Sequence, residues 1–341
     1  MTRQPRKRRP PTMSDIARLA GVSRTSVSFV LNNHTSSASI PAETKERILE
    51  AAKKLSYRPN LAAQVLHTNQ THTIGFITDE IATTPYAVNI IRGAQDAAWA
   101  HGKLLLIVNT GADATVKETA IEMMLGRQVE GIIYAAMYHQ EVALPANIYE
   151  GSAVLLDCFN ADRSLSSVVP DEIQGGRTAT EVLLKKGHRR IGFINTIDRT
   201  PAAFGRFEGY KQALQAYDIP FDENLVRFHA GDSRGGYQGI LELMQLLTPP
   251  TAIFCFKDSM AMGAYHALRT LGMSIPDDVA VMGFDNHELI ADQLFPPLST
   301  MQLPHYQMGK WVIEFLFEHY DESLPPVQHV IECPYIERQS V

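Results

Sequence analysis

The sequence predicts an α/β protein in which a small all-helical head precedes a larger body of doubly wound parallel sheets. Two short amphipathic helical patterns meet at Ala-Gly-Val within SDIARLAGVSRTSVSFVLNN, residues 14–33. From residue 72 onward, short apolar runs typical of buried strands alternate with amphipathic segments typical of helices. Basic residues are concentrated in the head. Together these three observations predict a head and a body with different tasks.

Composition places the chain among ordinary globular proteins. It has 341 residues, 45% hydrophobic and 20% charged, which predicts two or three domains. No apolar run reaches the roughly 18 to 20 residues that cross a bilayer, and no signal peptide is recognisable, so we expect a cytoplasmic protein. Cys158, Cys255 and Cys333 lie in apolar surroundings without CxxC spacing, which predicts reduced structural thiols.

The charge is distributed unevenly along the chain. Residues 1–67 contain 12 Lys and Arg against 4 Asp and Glu, whereas the rest contains 19 against 33. A basic head suits a polyanion such as DNA, because cations near phosphates release condensed counterions. Residues 1–11 are expected to form a basic disordered tail, and a solvated tail without a partner is the alternative interpretation.

The head has the signals of three short helices. Thr12 and Asp15 have the spacing of a helix cap, Gly21 is expected to end the first helix, and Ser23 can cap the second. A third helix is expected from about Pro41. The residues expected to share one core are Ile16, Leu19, Ala20, Val27, Val30, Leu31, Ile48, Leu49, Ala52 and Leu55. Residues 12–58 therefore predict a helix-turn-helix, whose second helix would enter the DNA major groove.

A two-helix pattern alone also occurs in ordinary helical domains, but longer segments are more specific. TMSDIARLAGVSRTSVSFVLNN and YRPNLAAQVL closely resemble the head of the lac repressor family of bacterial transcription regulators. RFEGYKQAL, PPLSTMQLP and TAIFCFKDSMAMGAYHALRTLGMSIPDDVAVMGFDN are similar to the family's core, so the resemblance covers nearly the whole chain. It implies a DNA-binding regulator, expected to be a repressor and a homodimer on a palindromic operator. It further implies a small-molecule effector, expected to be a carbohydrate or a derivative, and association with the nucleoid when bound.

The resemblance implies DNA contacts along the second helix. The matching positions are Ser23, Arg24, Thr25, Ser28, Phe29 and Asn32. Arg24 and Thr25 fall where the family reads bases, and most of the others fall where it contacts the DNA backbone. Phe29 departs from the commonest pattern, which has Arg. Arg can fork onto guanine, whereas Phe offers only apolar contact, for instance to a thymine methyl.

Residues 59–71 resemble the family's hinge helix and linker. A helix of about eight residues is too short to be stable in water, so we expect it to order only on DNA against its dimer mate. Asn60, Ala63 and Leu66 are expected to contact DNA, and Leu66 matches the leucine that wedges into the minor groove. An ordinary exposed leucine is the alternative interpretation.

The body, residues 72–341, contains seven predicted strands. They are 73–78, 103–110, 131–136, 153–158, 190–196, 251–256 and 279–284. Short apolar strands separated by helices predict doubly wound parallel sheets. The resemblance implies a two-lobed, periplasmic-binding-protein-like core in which the chain passes from one lobe to the other three times. The N-lobe is expected at about 72–171 and 302–330, and the C-lobe at about 172–300 and 331–341.

Ligands of such folds bind at the carboxyl ends of the strands, in the cleft between lobes. The effector-binding candidates there are Asp79, Tyr86, Phe159, Arg206, Lys257 and Asp285. Asp285 can accept hydrogen bonds from hydroxyl groups or cap a turn. Arg206 can fork onto a polar ligand or form a surface salt bridge. Tyr86 can stack on the effector or belong to the core.

One position departs from the family in the expected cleft. Lys257 stands where the family usually has Asn, and Asp258 after it is expected to be a helix N-cap. A cation there predicts a phosphorylated or acidic effector, unless the lysine turns to solvent.

Other classes of protein are disfavoured. No GxGxxG follows the first strand, no GxxxxGK[ST] or GxSxG occurs, and the 12 histidines show no HExxH. We therefore expect no catalytic residues, no metal and no cofactor. A solute-binding protein on the same core is the other alternative, and the DNA-reading head argues against it.

Overall fold

The computed structural model describes residues 9–32, 39–58, 70–84, 87–111, 113–321 and 323–341. The chain divides into two compact units, residues 1–71 and residues 72–341. Most of the expected tail, the hinge residues Asn60, Ala63 and Leu66, and Tyr86 lie outside the described residues. The predictions made for them stay predictions.

The described part of the head contains three helices, α1 Met13–Ala20, α2 Arg24–Leu31 and α3 Ala42–Lys54. The predicted cap is confirmed: Thr12 Oγ1 accepts the N–H of Asp15 at 3.3 Å, and the Asp15 carboxylate accepts the Thr12 N–H at 2.9 Å. Gly21 ends α1 with a φ of 67°, which glycine adopts without steric cost. The Ser23 hydroxyl caps α2 by accepting the N–H of Ser26 at 3.0 Å.

The three helices share one apolar core, as the sequence predicted. Its buried residues are Ile16, Ala17, Ala20, Val27, Val30, Ile48 and Ala51, with Leu31, Ala52 and Leu55 packed against them. Two core predictions are wrong, because Leu19 and Leu49 are 53% and 54% exposed. Successive helical residues are rotated by about 100°, so a leucine one position off the buried stripe turns toward solvent.

The core unit alternates strands and helices. Its strands are β1 Thr73–Thr78, β2 Leu104–Asn109, β3 Ile132–Glu141, β4 Ala153–Phe159, β5 Ser166–Pro170, β6 Ile191–Thr196, β7 Val226–His229, β8 Ala252–Cys255, β9 Ala280–Asp285, β10 Ser299–Gln302, β11 Gln328–Ile331 and β12 Tyr335–Ile336. Its α-helices are α4 Val88–Ala100, α5 Ala114–Gly126, α6 Glu172–Lys185, α7 Pro201–Ala216, α8 Ser233–Met244, α9 Asp258–Thr270 and α10 His305–Glu314. Short 3-10 turns occur at Ile81–Thr83, Ala146–Glu150 and Glu223–Leu225, and a π turn at Phe315–His319.

These strands form two six-stranded sheets, one in each lobe. The N-lobe sheet has the order β11-β5-β4-β3-β1-β2 and is parallel throughout. The C-lobe sheet has the order β12-β10-β9-β8-β6-β7, and only β12 is antiparallel to its neighbour. The chain therefore passes between the lobes after β5, after β10 and after β11. The second and third crossings follow Gln302 and Ile331, slightly later than the sequence placed them.

Each of the seven predicted strands is present, although β3 continues to Glu141 instead of ending at 136. Five further strands, β5, β7, β10, β11 and β12, are not among the seven predicted. These strands span five residues or fewer, and a run that short holds too few residues to show a pattern.

Apolar clusters cover both faces of each sheet. In β1, Ile74 and Phe76 belong to one cluster, whereas Ile77 belongs to the cluster on the opposite face. Burial on both faces explains why the strands read as continuous apolar runs. The three cysteines are buried free thiols, as predicted. None of the described helices is long and apolar enough to span a membrane.

Candidate functional site

The first candidate site is the outer surface of α2 in the head. Arg24, Thr25 and Asn32 are exposed, and Ser28 and Phe29 are half-buried. The Asn32 amide donates to Ser28 Oγ at 3.2 Å, which links two of the predicted backbone-contacting residues. The Ser23 cap fixes the start of the helix, so the side chains of Arg24 and Thr25 project from its first turn. A basic and a hydroxyl side chain at this place can donate hydrogen bonds to base edges and phosphates.

The second candidate site is a cavity of about 670 Å³ between the two lobes, at the carboxyl ends of the strands. The side chains that matter for its chemistry are Tyr138, His139 and Asp157 from the N-lobe and Arg206, Lys257 and Asp285 from the C-lobe. Three predicted effector-binding residues are thus brought together. A ligand here would touch both lobes at once.

Glycine contacts between α6 and α7 position Arg206. A Cβ atom at Gly176 would lie 2.3 Å from the Arg206 carbonyl oxygen, and one at Gly209 would lie 2.2 Å from that of Ile173. Only residues without a side chain allow the helices to approach so closely. Arg206 is therefore held against Glu172, which is the first residue of α6.

Arg206 is only 3% exposed, so the alternative of a surface salt bridge is wrong. Its Nε donates to Glu172 at 2.7 Å, and its Nη1 donates to the Phe256 carbonyl oxygen at 2.6 Å and to Asp285 at 3.4 Å. The guanidinium also lies 3.7 Å from the centre of the Phe284 ring. Arg206 consequently neutralises two buried carboxylates and fixes Asp285 at the end of β9.

Asp258 does not have its expected role. It is the first residue of α9, and Lys257 occupies the N-cap position without a side-chain cap. The Asp258 carboxyl group instead accepts Thr300 Oγ1 at 2.6 Å and the His287 N–H at 2.7 Å. Burial, together with the charge of Asp285, raises the pKa of Asp258 to about 8.

Lys257 lines the cavity, as the sequence predicted for a ligand-facing residue. Its ammonium group lies beside Gly231, where a Cβ atom would be 3.2 Å from Nζ. It has no ion pair with any carboxylate in the described part of the chain. The charge of Lys257 is therefore available to a ligand.

Two predicted residues do not line the cavity. Asp79 lies at a separate pocket of about 600 Å³ beside Lys117, and its carboxylate accepts the N–H groups of Glu80 at 2.6 Å and Met137 at 3.1 Å. Phe159 does not line the cavity: its ring packs edge-on against His139 at 5.6 Å and lies 3.5 Å from the guanidinium of Arg163.

Three N-lobe residues of the cavity were not predicted from the sequence, namely Tyr138, His139 and Asp157. The register of β3 against β4 shifts between Ala135 and Gln140, and this bulge redirects Tyr138 and His139. Asp157 has a φ of 56° and is 3% exposed. The sequence does contain one indication of Asp157, because it is a charged residue near the end of the apolar run AVLLDC.

The cavity mixes hydrogen-bond acceptors with donors. Carboxylates can accept from ligand hydroxyl or amino groups, and Arg206 and Lys257 supply positive charge. Burial lowers the pKa of His139, which favours the neutral ring near neutral pH. No group of three or more metal-ligating side chains is close enough to hold a metal ion within the described residues. These features would suit a polar organic molecule.

A DNA-reading head joined to a two-lobed ligand-binding core defines the class of ligand-responsive transcription regulators. Residues 12–60 match the family model described as bacterial regulatory proteins of the lacI family. Residues 71–339 match the model described as periplasmic binding proteins and sugar binding domain of the LacI family. The chain belongs to the LacI family of bacterial regulatory proteins.

Relatives extend over nearly the whole chain. The transcriptional regulator RegA of Clostridium saccharobutylicum is 32% identical, over 96% of this chain and 98% of its own. The ribose operon repressor of Haemophilus influenzae is 31% identical, over 90% and 91%. The crystal structure of a LacI-family regulator from Rhizobium etli is 32% identical, with a TM-score of 0.70 over 79% of this chain and 98% of that one. The chain is accordingly a DNA-binding transcriptional regulator and not an enzyme.

Proposed function

We propose that the chain is a repressor that binds a palindromic operator as a homodimer and responds to an effector in the cleft. The effector is a sugar or a sugar derivative. The observation that carries this proposal is one chain with two sites: an exposed reading surface on α2 and a polar cavity between two lobes. Such a regulator acts in the bacterial cytoplasm, at the nucleoid when bound.

The reading surface supports sequence-specific binding. Arg24 and Thr25 contact bases in this proposal, Ser23, Ser28 and Asn32 contact the DNA backbone, and Phe29 packs against a base. Asn60, Ala63 and Leu66 complete the contacts in the minor groove. Two heads related by a two-fold axis require two half-sites of opposite direction, hence the palindrome.

The cavity supports control by a small molecule. The matching core model is that of a sugar binding domain, and one relative is named for a ribose operon. Arg206 and Asp285 hold the effector from the C-lobe, and Lys257 favours an acidic or phosphorylated group on it. A ligand that bridges the lobes favours one lobe arrangement over another by its differential affinity for them. That difference limits how strongly the effector changes operator binding.

Exposed apolar side chains on both lobes support the homodimer. The N-lobe patch consists of Val116 and Met123, which line one pocket, and the C-lobe patch consists of Met262 and Phe295. Met262 and Phe295 line a surface cavity of about 740 Å³. Apolar surface of this kind marks contact sites between proteins, and two copies would cover it symmetrically.

The experiment that tests the proposal is a selection from random double-stranded DNA by the full-length chain. A truncated chain lacking residues 1–67 is the control, because its core unit is separately compact. We expect the full-length chain alone to enrich one palindromic sequence. Sugars are then screened for their effect on the affinity for this sequence, at a fixed salt concentration. Enrichment by the truncated chain, or a selected sequence without two-fold symmetry, would contradict the proposal.

A further inference from the structure

One carboxyl group of the cleft has no partner in the described chain. Asp157 is 3% exposed, lines the cavity between the lobes, and its Oδ1 has no hydrogen bond within the described residues. A buried polar atom without a partner is costly, and such groups are rare in folded proteins. The group is therefore placed for something that enters the cavity.

The basic side chains of the cavity do not satisfy Asp157. Arg206 is occupied by Glu172 at 2.7 Å, by the Phe256 carbonyl oxygen and by Asp285. Lys257 forms no ion pair with Asp157. Among the described residues, the ionisable side chains that line the cavity are four acids, namely Asp157, Glu172, Asp198 and Asp285, against the bases Arg206 and Lys257. Acidic side chains thus outnumber basic ones in the cavity lining by two.

A metal ion would need several ligands around Asp157. No group of three or more His, Cys, Asp or Glu side chains within the described residues could hold one. Among organic groups, a protonated amine suits an acidic cavity, because it is both a cation and a hydrogen-bond donor.

We propose that the effector carries a protonated amino group that binds the Asp157 carboxylate, as in an amino sugar. This inference rests on the proposed function, because it specifies the ligand of the same cleft. The amine would donate to Oδ1 from the N-lobe side, while Arg206 and Asp285 hold the rest of the ligand from the C-lobe side. A neutral sugar hydroxyl also donates a hydrogen bond, but it brings no positive charge to the excess of acidic side chains. The amino group faces Asp157 in the N-lobe, so it is compatible with an acidic group of the same ligand that faces Lys257 in the C-lobe.

Binding then moves one proton. Burial, with the charge of Glu172, raises the pKa of Asp157 well above its ordinary value; Asp79 and Asp285 act in the same direction, and the positive charge of Arg206 opposes them. The empty cleft therefore favours the protonated form of the carboxyl group. When a protonated amine binds, Asp157 loses that proton to solvent and forms the ion pair, so about one proton is released for each ligand bound.

The test is titration calorimetry on the full-length chain with matched ligands. Glucosamine, galactosamine and mannosamine are compared with their parent sugars and with their N-acetyl forms, which keep the nitrogen but lack the charge. We expect at least one amine to bind at least about tenfold more tightly than its parent sugar. We also expect the enthalpy to vary with the ionisation heat of the buffer, as release of one proton requires. A parent sugar that binds as tightly as its amine, or the absence of binding by every amine, overturns the inference.

The variant Asp157→Asn assigns the effect to this residue, with Asp277→Asn as a matched control on the exposed surface. The first variant should lose the preference for the amine, and the second should keep it. If Asp157→Asn does not fold, the pH dependence of amine binding by the wild type tests the inference instead. Amine affinity should rise from mildly acidic toward neutral pH, whereas an unchanged affinity overturns the inference. Binding of neutral sugars alone would leave the proposed function standing, and failure of the DNA selection would refute the function separately.

Discussion

At the scale of single residues, Arg206 connects the stability of the C-lobe with the chemistry of its cleft. It is buried between two carboxylates and stacks on Phe284. Arg206→Met should lower the free energy of unfolding by about 3 to 5 kcal/mol, because it leaves Glu172 and Asp285 buried without a counter-charge. Urea denaturation measures this loss.

The matched control is Lys211→Met on the same helix. Lys211 forms an exposed ion pair with Glu208, and exposed pairs contribute little. Its free energy of unfolding should stay within about 0.5 kcal/mol of the wild type. Equal losses of unfolding free energy in the two variants would show that the buried ion pairs of Arg206 contribute no more to stability than the exposed pair of Lys211.

Asp258 makes the stability of the C-lobe depend on pH. Its pKa is about 8 in the folded chain, against an ordinary value of 3.8. Between these values the folded chain keeps a proton that the unfolded chain has lost, so the contribution to stability falls as pH rises and is lost above about 8.

Asp258→Asn should flatten this dependence, because the amide resembles the protonated carboxyl group and can still accept from the His287 N–H and donate to Thr300 Oγ1. Relative to the wild type, the variant should gain stability as pH is raised from 3.8 toward 8. Denaturation curves at several pH values check this, and parallel profiles for the two proteins would disprove it.

Phe29 should set part of the operator preference. Phe29→Arg introduces a side chain that can fork onto guanine O6 and N7, an interaction worth about 1 to 3 kcal/mol of discrimination. We expect DNA selection with the variant to recover more guanine at one position of each half-site. The same ranking of sequences before and after the substitution would contradict this role.

At the scale of elements, close packing between α6 and α7 depends on glycine. Gly176→Ala places a Cβ atom against the Arg206 backbone and should destabilise the chain by about 1 to 3 kcal/mol. Gly126→Ala, at the end of α5, meets no atom within 4 Å and should be neutral or slightly stabilising. Thermal unfolding compares the two variants, and a neutral Gly176→Ala would mean that the helices can separate without cost.

The elements also differ in how well the sequence predicted them. The cap at Thr12 and the break at Gly21 are local, because the interacting residues are neighbours in the chain. Strand β4 was predicted from its apolar run, but the bulge opposite Asp157 was not. A bulge depends on how two strands pair, and the pairing partner lies outside any sequence window.

At the scale of the whole molecule, the proposed homodimer depends on exposed apolar surface. Phe295 is 83% exposed, and Phe295→Glu should shift the chain toward the monomer and weaken operator binding. Leu247→Glu is the control, because Leu247 is also exposed but lies outside both patches. Sedimentation velocity gives the oligomeric state, and equal behaviour of the two variants would exclude the C-lobe patch from the interface.

The sequence by itself determined the family, the helix-turn-helix, the alternating strands and helices, and the choice of Arg206, Lys257 and Asp285 as residues of the cleft. These features are local patterns or contiguous motifs. Only the tertiary structure decided that Arg206 is engaged by Glu172, that Asp79 and Phe159 lie outside the cavity, and that Asp157 Oδ1 accepts no hydrogen bond from any described residue. Such facts depend on distances between residues far apart in the chain, which are set by packing within and between the lobes.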